Sequence, residues 1–156
     1  MCWQCENPDK TRADYLRYVR TVIGKCGWMV QGVEGSRHSP PWAYTIGLTE
    51  RKLPELVVTG LPLYPAGSLL NCVAEHACHA EPPEHGEQYT LRDGPSIEVV
   101  ELAEPSAHLV MAVGLYGPGI RARQLVYADD DGFWPWDAKF RGGRGGQPVL
   151  GVRCAS

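Results

Sequence analysis

Glycine and proline recur from one end of the chain to the other, 18 and 13 of 156 residues, and they limit how long any regular element can run. Each proline removes a backbone donor and each glycine favours a turn, so the chain reads as short elements joined by tight turns. The hydrophobic fraction of 44% is still ordinary for a globular protein, and the length fits one domain around one core. No apolar run reaches the roughly 18 residues that a membrane helix needs.

The punctuation divides the sequence into recognisable pieces. Thr11 and Asp14 have the spacing of a capping box. Tyr15, Val19, Val22 and Cys26 follow at helical intervals, which predicts an amphipathic helix over 11–25 closed by Gly27. Strands are expected at 28–33, 42–48 and 56–59, the last two joined by the polar stretch 49–53. Pro62 and Pro65 suit the first turn of a second helix, with Ala66, Leu69, Leu70, Val73, Ala77 and Ala80 as its buried stripe and Pro82-Pro83 as its end. Segments 88–91 and 97–102 flank Asp93-Gly94-Pro95 as a hairpin. Residues 108–116 fit a strand or a short helix, and 124–128 reads as a strand entering the turn Asp129-Asp130-Asp131-Gly132. With no βαβ alternation and no internal repeat, the expected fold is α+β, a mostly antiparallel sheet packed against two main helices. Its parts are a cysteine-bearing leader (1–10), the domain proper (11–138) and a glycine-rich basic segment packed on it (139–156).

Net charge is −3, unlike a free-standing nucleic-acid binder. The distribution is uneven. No acid follows Asp137, whereas Lys139, Arg141, Arg144 and Arg153 give the last 19 residues +4 and leave −7 on the first 137. Such a tail can meet an anionic partner, and Arg141 and Arg144 are the candidate partner-binding residues.

Pro41-Trp42-Ala43-Tyr44-Thr45-Ile46-Gly47-Leu48 followed by Pro54-Glu55-Leu56, together with Gln124-Leu125-Val126, Asp129 and Trp134-Pro135-Trp136-Asp137, resembles the bacterial DUF4262 family. The likeness runs from about Gly27 to Gly151 and implies a fold but no reaction. The leader Cys2-Trp3-Gln4-Cys5 and the ending from Gly142 to Gly151 resemble the actinobacterial branch. Within it the chain is similar to mycobacterial members that recruit a hibernation-promoting protein to ribosomes under zinc starvation. That likeness implies a zinc-responsive, non-catalytic stress-response protein with a ribosomal partner.

The residues themselves point to metal at Cys2-x-x-Cys5. Two thiolates at this spacing can turn onto one Zn²⁺, each sulfur about 2.3 Å from the metal. The start of the chain lacks the charged-then-apolar plan of a secretory signal, so reduced thiols in a cytoplasm are expected. A closed site needs four ligands, and Cys26, Cys72, Cys154 or a histidine remain open for the rest. Cys26 lies roughly 22 Å from the start of the first helix, a distance that the leader can just cover by folding back.

Other constellations have plainer readings. Cys72, His76 and His79 share a helix face, and Cys72 is expected at the core edge. Asp129-Asp130-Asp131 reads as a solvated turn, since Asp and Gly both favour turns. Trp42, Tyr44, Trp134 and Trp136 read mostly as core, with a ring or two at a pocket mouth. Arg141-Gly142-Gly143-Arg144-Gly145-Gly146 resembles RNA-binding RGG segments, or equally a glycine loop cupping an anion. No Gly-x-Ser-x-Gly elbow, P-loop or dinucleotide fingerprint occurs. The expected function is thus a zinc-responsive, non-catalytic partner-binding protein, with rRNA contact through the basic tail. The alternative is an enzyme of unknown substrate with a cleft near Tyr44, Asp129 and Asp137.

Overall fold

The computed structural model describes residues 6–154, so Cys2 and Cys5 lie outside the described residues. Helix α1 (Arg12–Cys26) begins at the expected capping box: the Thr11 hydroxyl accepts the Asp14 N–H, and the Asp14 carboxylate accepts the Thr11 N–H. Gly27 closes it. Tyr15, Val19 and Ile23 form its buried stripe.

Six strands form one sheet in the order β1-β2-β3-β6-β5-β4. They are β1 (Met29–Val33), β2 (Trp42–Ile46), β3 (Glu55–Thr59), β4 (Gln88–Thr90), β5 (Ser96–Glu101) and β6 (Ala122–Tyr127). The β3–β6 pair is parallel and the other pairs are antiparallel, an α+β arrangement as expected. The hairpin at Asp93-Gly94-Pro95 joins β4 to β5.

Helix α2 (Leu63–His79) packs on one face of the sheet. Helix α1 and the short helix α4 (Val110–Tyr116) pack on the other. Strand alternation sorts the side chains: Ala43, Leu56, Val58, Leu125 and Tyr127 face α2, whereas Tyr44, Ile46 and Val57 face α1 and α4. The ambiguous stretch 108–116 resolves into helix, with α3 (Pro105–His108) preceding α4. The stretch 49–53 is not a plain loop, because Leu48–Arg51 forms a 3-10 turn. Cys72 is exposed and not at the core edge, as are His76 and His79.

The chain after residue 146 is stitched to the sheet through buried glutamines. Gln147 accepts the Tyr127 N–H at 3.0 Å and donates to the Tyr127 carbonyl at 2.9 Å, copying the hydrogen bonds of a neighbouring strand. Gln124 donates to the Pro148 carbonyl and accepts the Leu150 N–H. Gly151 then bridges to Leu102, so close that a Cβ there would stand 1.9 Å from the Glu101 carbonyl oxygen. Only glycine fits.

Candidate functional site

The end of β6 turns into a clasp organised by Asp129. One carboxylate oxygen accepts the N–H groups of Asp131 (3.0 Å) and Phe133 (2.8 Å), and the other accepts the Arg141 N–H at 2.7 Å. These donors, Arg141 foremost, hold the Asp129 carboxyl below its usual range. The Asp triplet is therefore a turn with one member structurally committed. Between its ends, Phe140 is buried against the α2 side of the core.

Arg141 is turned inward. Its Nη2 donates to the Gly60 carbonyl at 2.9 Å and to the Tyr127 hydroxyl at 2.8 Å, while Nη1 reaches the Gly145 carbonyl at 3.4 Å. The guanidinium also lies beside the Phe140 and Tyr127 rings. Tyr127 in turn donates to the Thr59 carbonyl, and burial pushes its phenol up to about 12, against the pull of Arg141. The backbone at Gly60 is left-handed, and a Cβ there would meet the Gly146 carbonyl oxygen at 2.2 Å. Gly60 is thus where the strand end and the tail loop can touch.

The remaining tail cations divide. Arg153 is engaged: it bonds the Glu98 carboxylate at 2.6 and 3.0 Å, and its guanidinium carbon lies 3.4 Å from the centre of the Trp136 ring. Glu98 is buried and held below its ordinary range chiefly by Arg153, whose own value rises in return. Trp136 stacks on Trp134 with ring centres 5.3 Å apart and remains 38% exposed, so this ring belongs to the surface and not to the core. Arg144 and Lys139 are exposed, with Arg144 Nε on the Arg141 carbonyl and Lys139 over the Phe133 ring. The same loop thus carries an aromatic stack and two exposed cations.

Beneath the clasp lies a cleft of about 1020 Å³ between the start of α2, the β4–β5 hairpin and the end of β6. Leu61, Pro65, Leu69 and Leu91 line its apolar wall; Asp129, Asp130, Asp93 and Arg141 supply its charge. Tyr44 does not join Asp129 there. It lies buried on the opposite face of the sheet, its hydroxyl accepting the Met111 N–H, with burial pushing it up to about 12. Asp137 does not line the cleft either, and its carboxylate accepts the Lys139 N–H.

The strongest polar centre was not singled out by sequence reasoning. Glu55 is fully buried in β3, where its carboxylate accepts the N–H groups of Gly47, Leu48 and Thr49 and the hydroxyls of Thr45 and Thr49. Desolvation raises its pKa, while those donors pull it down. It anchors the 3-10 turn. The available signal was an acid embedded in the apolar run Leu53 to Val58.

Among the described residues no three His, Cys, Asp or Glu side chains gather as metal ligands. Cys26, Cys72 and Cys154 are each exposed and free. Thiolate chemistry suits Zn²⁺, so Cys2 and Cys5 would be its first holders, with such exposed donors left to complete the shell. No helix among the described residues is long and apolar enough to cross a membrane.

Residues 22–141 match the family described as "Domain of unknown function (DUF4262)". No curated protein and no solved structure matches the chain.

Proposed function

The chain belongs to the DUF4262 family, and from that footing we propose a zinc-responsive, non-catalytic protein that binds an anionic partner through its C-terminal clasp. The observation that carries the reading is the division of the tail's cations. Arg141 and Arg153 tie the tail to the sheet, through Gly60 and Glu98, while Lys139 and Arg144 are left exposed in the loop that follows the Trp134–Trp136 stack. A preordered loop with outward cations and an exposed indole binds with little ordering cost, and aromatic rings and arginine are favoured at interfaces. The titratable groups that an enzyme reading would use are engaged by backbone: Tyr44 by Met111, Asp129 by three N–H groups, Asp137 by Lys139.

The partner we propose is ribosomal, either rRNA phosphate or a ribosome-bound hibernation protein, and Cys2 and Cys5 couple the contact to zinc supply. The resemblance of the leader and the glycine-rich tail to the actinobacterial branch supports this finer reading. Binding to purified ribosomes over a salt series tests it. Lys139→Glu with Arg144→Glu is expected to weaken binding and to lower the salt slope by about two. Unchanged affinity and slope would remove the clasp from the contact.

A further inference from the structure

Beyond the partner surface, the cleft beneath the clasp has the make-up of a small-molecule site. Its volume, about 1020 Å³, is at the upper end of what ligand pockets use. Among the described residues, Arg141 is the one cationic residue lining it. That guanidinium is partly buried, and its hydrogen-bond partners among the described residues are all uncharged oxygens: the Gly60 and Gly145 carbonyls and the Tyr127 hydroxyl. No carboxylate among the described residues pairs with it. Asp129 is close in the fold, but its carboxylate is directed at the Arg141 backbone and two other N–H groups. Nε of Arg141 donates to nothing among the described residues.

A half-buried guanidinium with donors to spare and no carboxylate partner among the described residues is suited to a planar oxyanion. The wall beside it is apolar, formed by Leu61, Leu69 and Leu91. Asp93 and Asp130 sit on exposed turns at the cleft's edge and the Asp129 carboxylate lines it too, so a multiply charged anion would be repelled. Their effect on a single charge is reduced by water and salt. We propose that the cleft binds a small amphiphilic monocarboxylate, its carboxylate on Arg141 and its hydrocarbon body against Leu61, Leu69 and Leu91. This site is separate from the outward cations and needs no zinc.

The test uses octanoate as the probe, with octanol, octylamine and octyl phosphate as matched controls, titrated into the full chain and followed by leucine-methyl NMR. Octanoate is expected to shift the Leu61, Leu69 and Leu91 methyls saturably, and each control to bind at least about 10-fold more weakly, the worth of one charge-assisted contact. Arg141→Lys should weaken octanoate at least about 10-fold through loss of the planar fork. Because Arg141 also ties Gly60 to Tyr127, a second variant leaves it untouched: Thr90→Trp, at an exposed lining position of β4, should weaken binding by narrowing the cleft. The proposal is overturned if octanoate leaves the three methyls unmoved. It is equally overturned if octanol, octylamine or octyl phosphate binds as tightly, or if Thr90→Trp binds octanoate normally.

Discussion

The carboxylate of Asp129 accepts the backbone N–H of Arg141, twelve positions on, at 2.7 Å, closing a loop so that the Arg141 side chain is delivered to Gly60 and Tyr127. One acid thereby positions a cation without pairing with it. The loop it closes carries the Trp134–Trp136 stack and the buried Phe140.

Asp129→Ala removes an acceptor from three N–H groups and is expected to lower the urea midpoint, with Asp129→Asn intermediate. Since the folded value lies below the ordinary 3.8, this stabilisation is fully present above that value and disappears as pH falls through the depressed one. Urea midpoints of wild type and Asp129→Ala should therefore differ by a constant amount from pH 5 to 7 and converge in stronger acid. A gap that persists unchanged to the lowest pH would mean that the carboxylate's charge is irrelevant.

Arg153→Ala leaves the Glu98 carboxylate buried with Gln88 as its remaining side-chain donor. We expect a loss of about 2 kcal/mol in equilibrium unfolding, the usual worth of hydrogen bonds to a charged group. Removing the guanidinium also uncovers one face of Trp136, so the native tryptophan emission should shift to the red. Full stability with an unshifted spectrum would show the pair to be incidental.

Glu55→Gln replaces an acceptor-only group, when ionised, by one whose amide hydrogens confront the N–H groups of Gly47 and Thr49 and the Thr49 hydroxyl. The expected cost is about 3 kcal/mol in the same unfolding measurement. Hydrogen exchange at residues 47–51 should quicken before that of β3 itself. Wild-type exchange at the 3-10 turn would contradict the anchoring role.

The elements that sequence exposed were those written in local chemistry. The Thr11–Asp14 capping box and Gly27 bound α1 as expected, and the turn at Asp93-Gly94-Pro95 joined its two strands. What stayed hidden depends on contacts between distant segments. The Gln147–Tyr127 pairing spans 20 residues and the Gln124–Thr59 bond 65, and no local pattern marks either glutamine as buried. The alternative reading, an enzyme cleft, groups Tyr44 with Asp129 and Asp137. Strand alternation puts Tyr44 with Ile46 on one face and Ala43 on the other, but only the folded sheet reveals that Asp129 opens toward Ala43's side. Cys72 misled for a similar reason, since its neighbour Val73 faces the core and Cys72 itself faces water.

The zinc-coupled reading stands or falls on metal stoichiometry of the purified full chain, measured alongside the Cys2→Ser, Cys5→Ser double variant. About one equivalent of Zn²⁺ in the wild type, declining as pH drops because thiolates must deprotonate to bind, and none in the double variant, is the predicted result. Equal zinc in both proteins, or none in either, would contradict it.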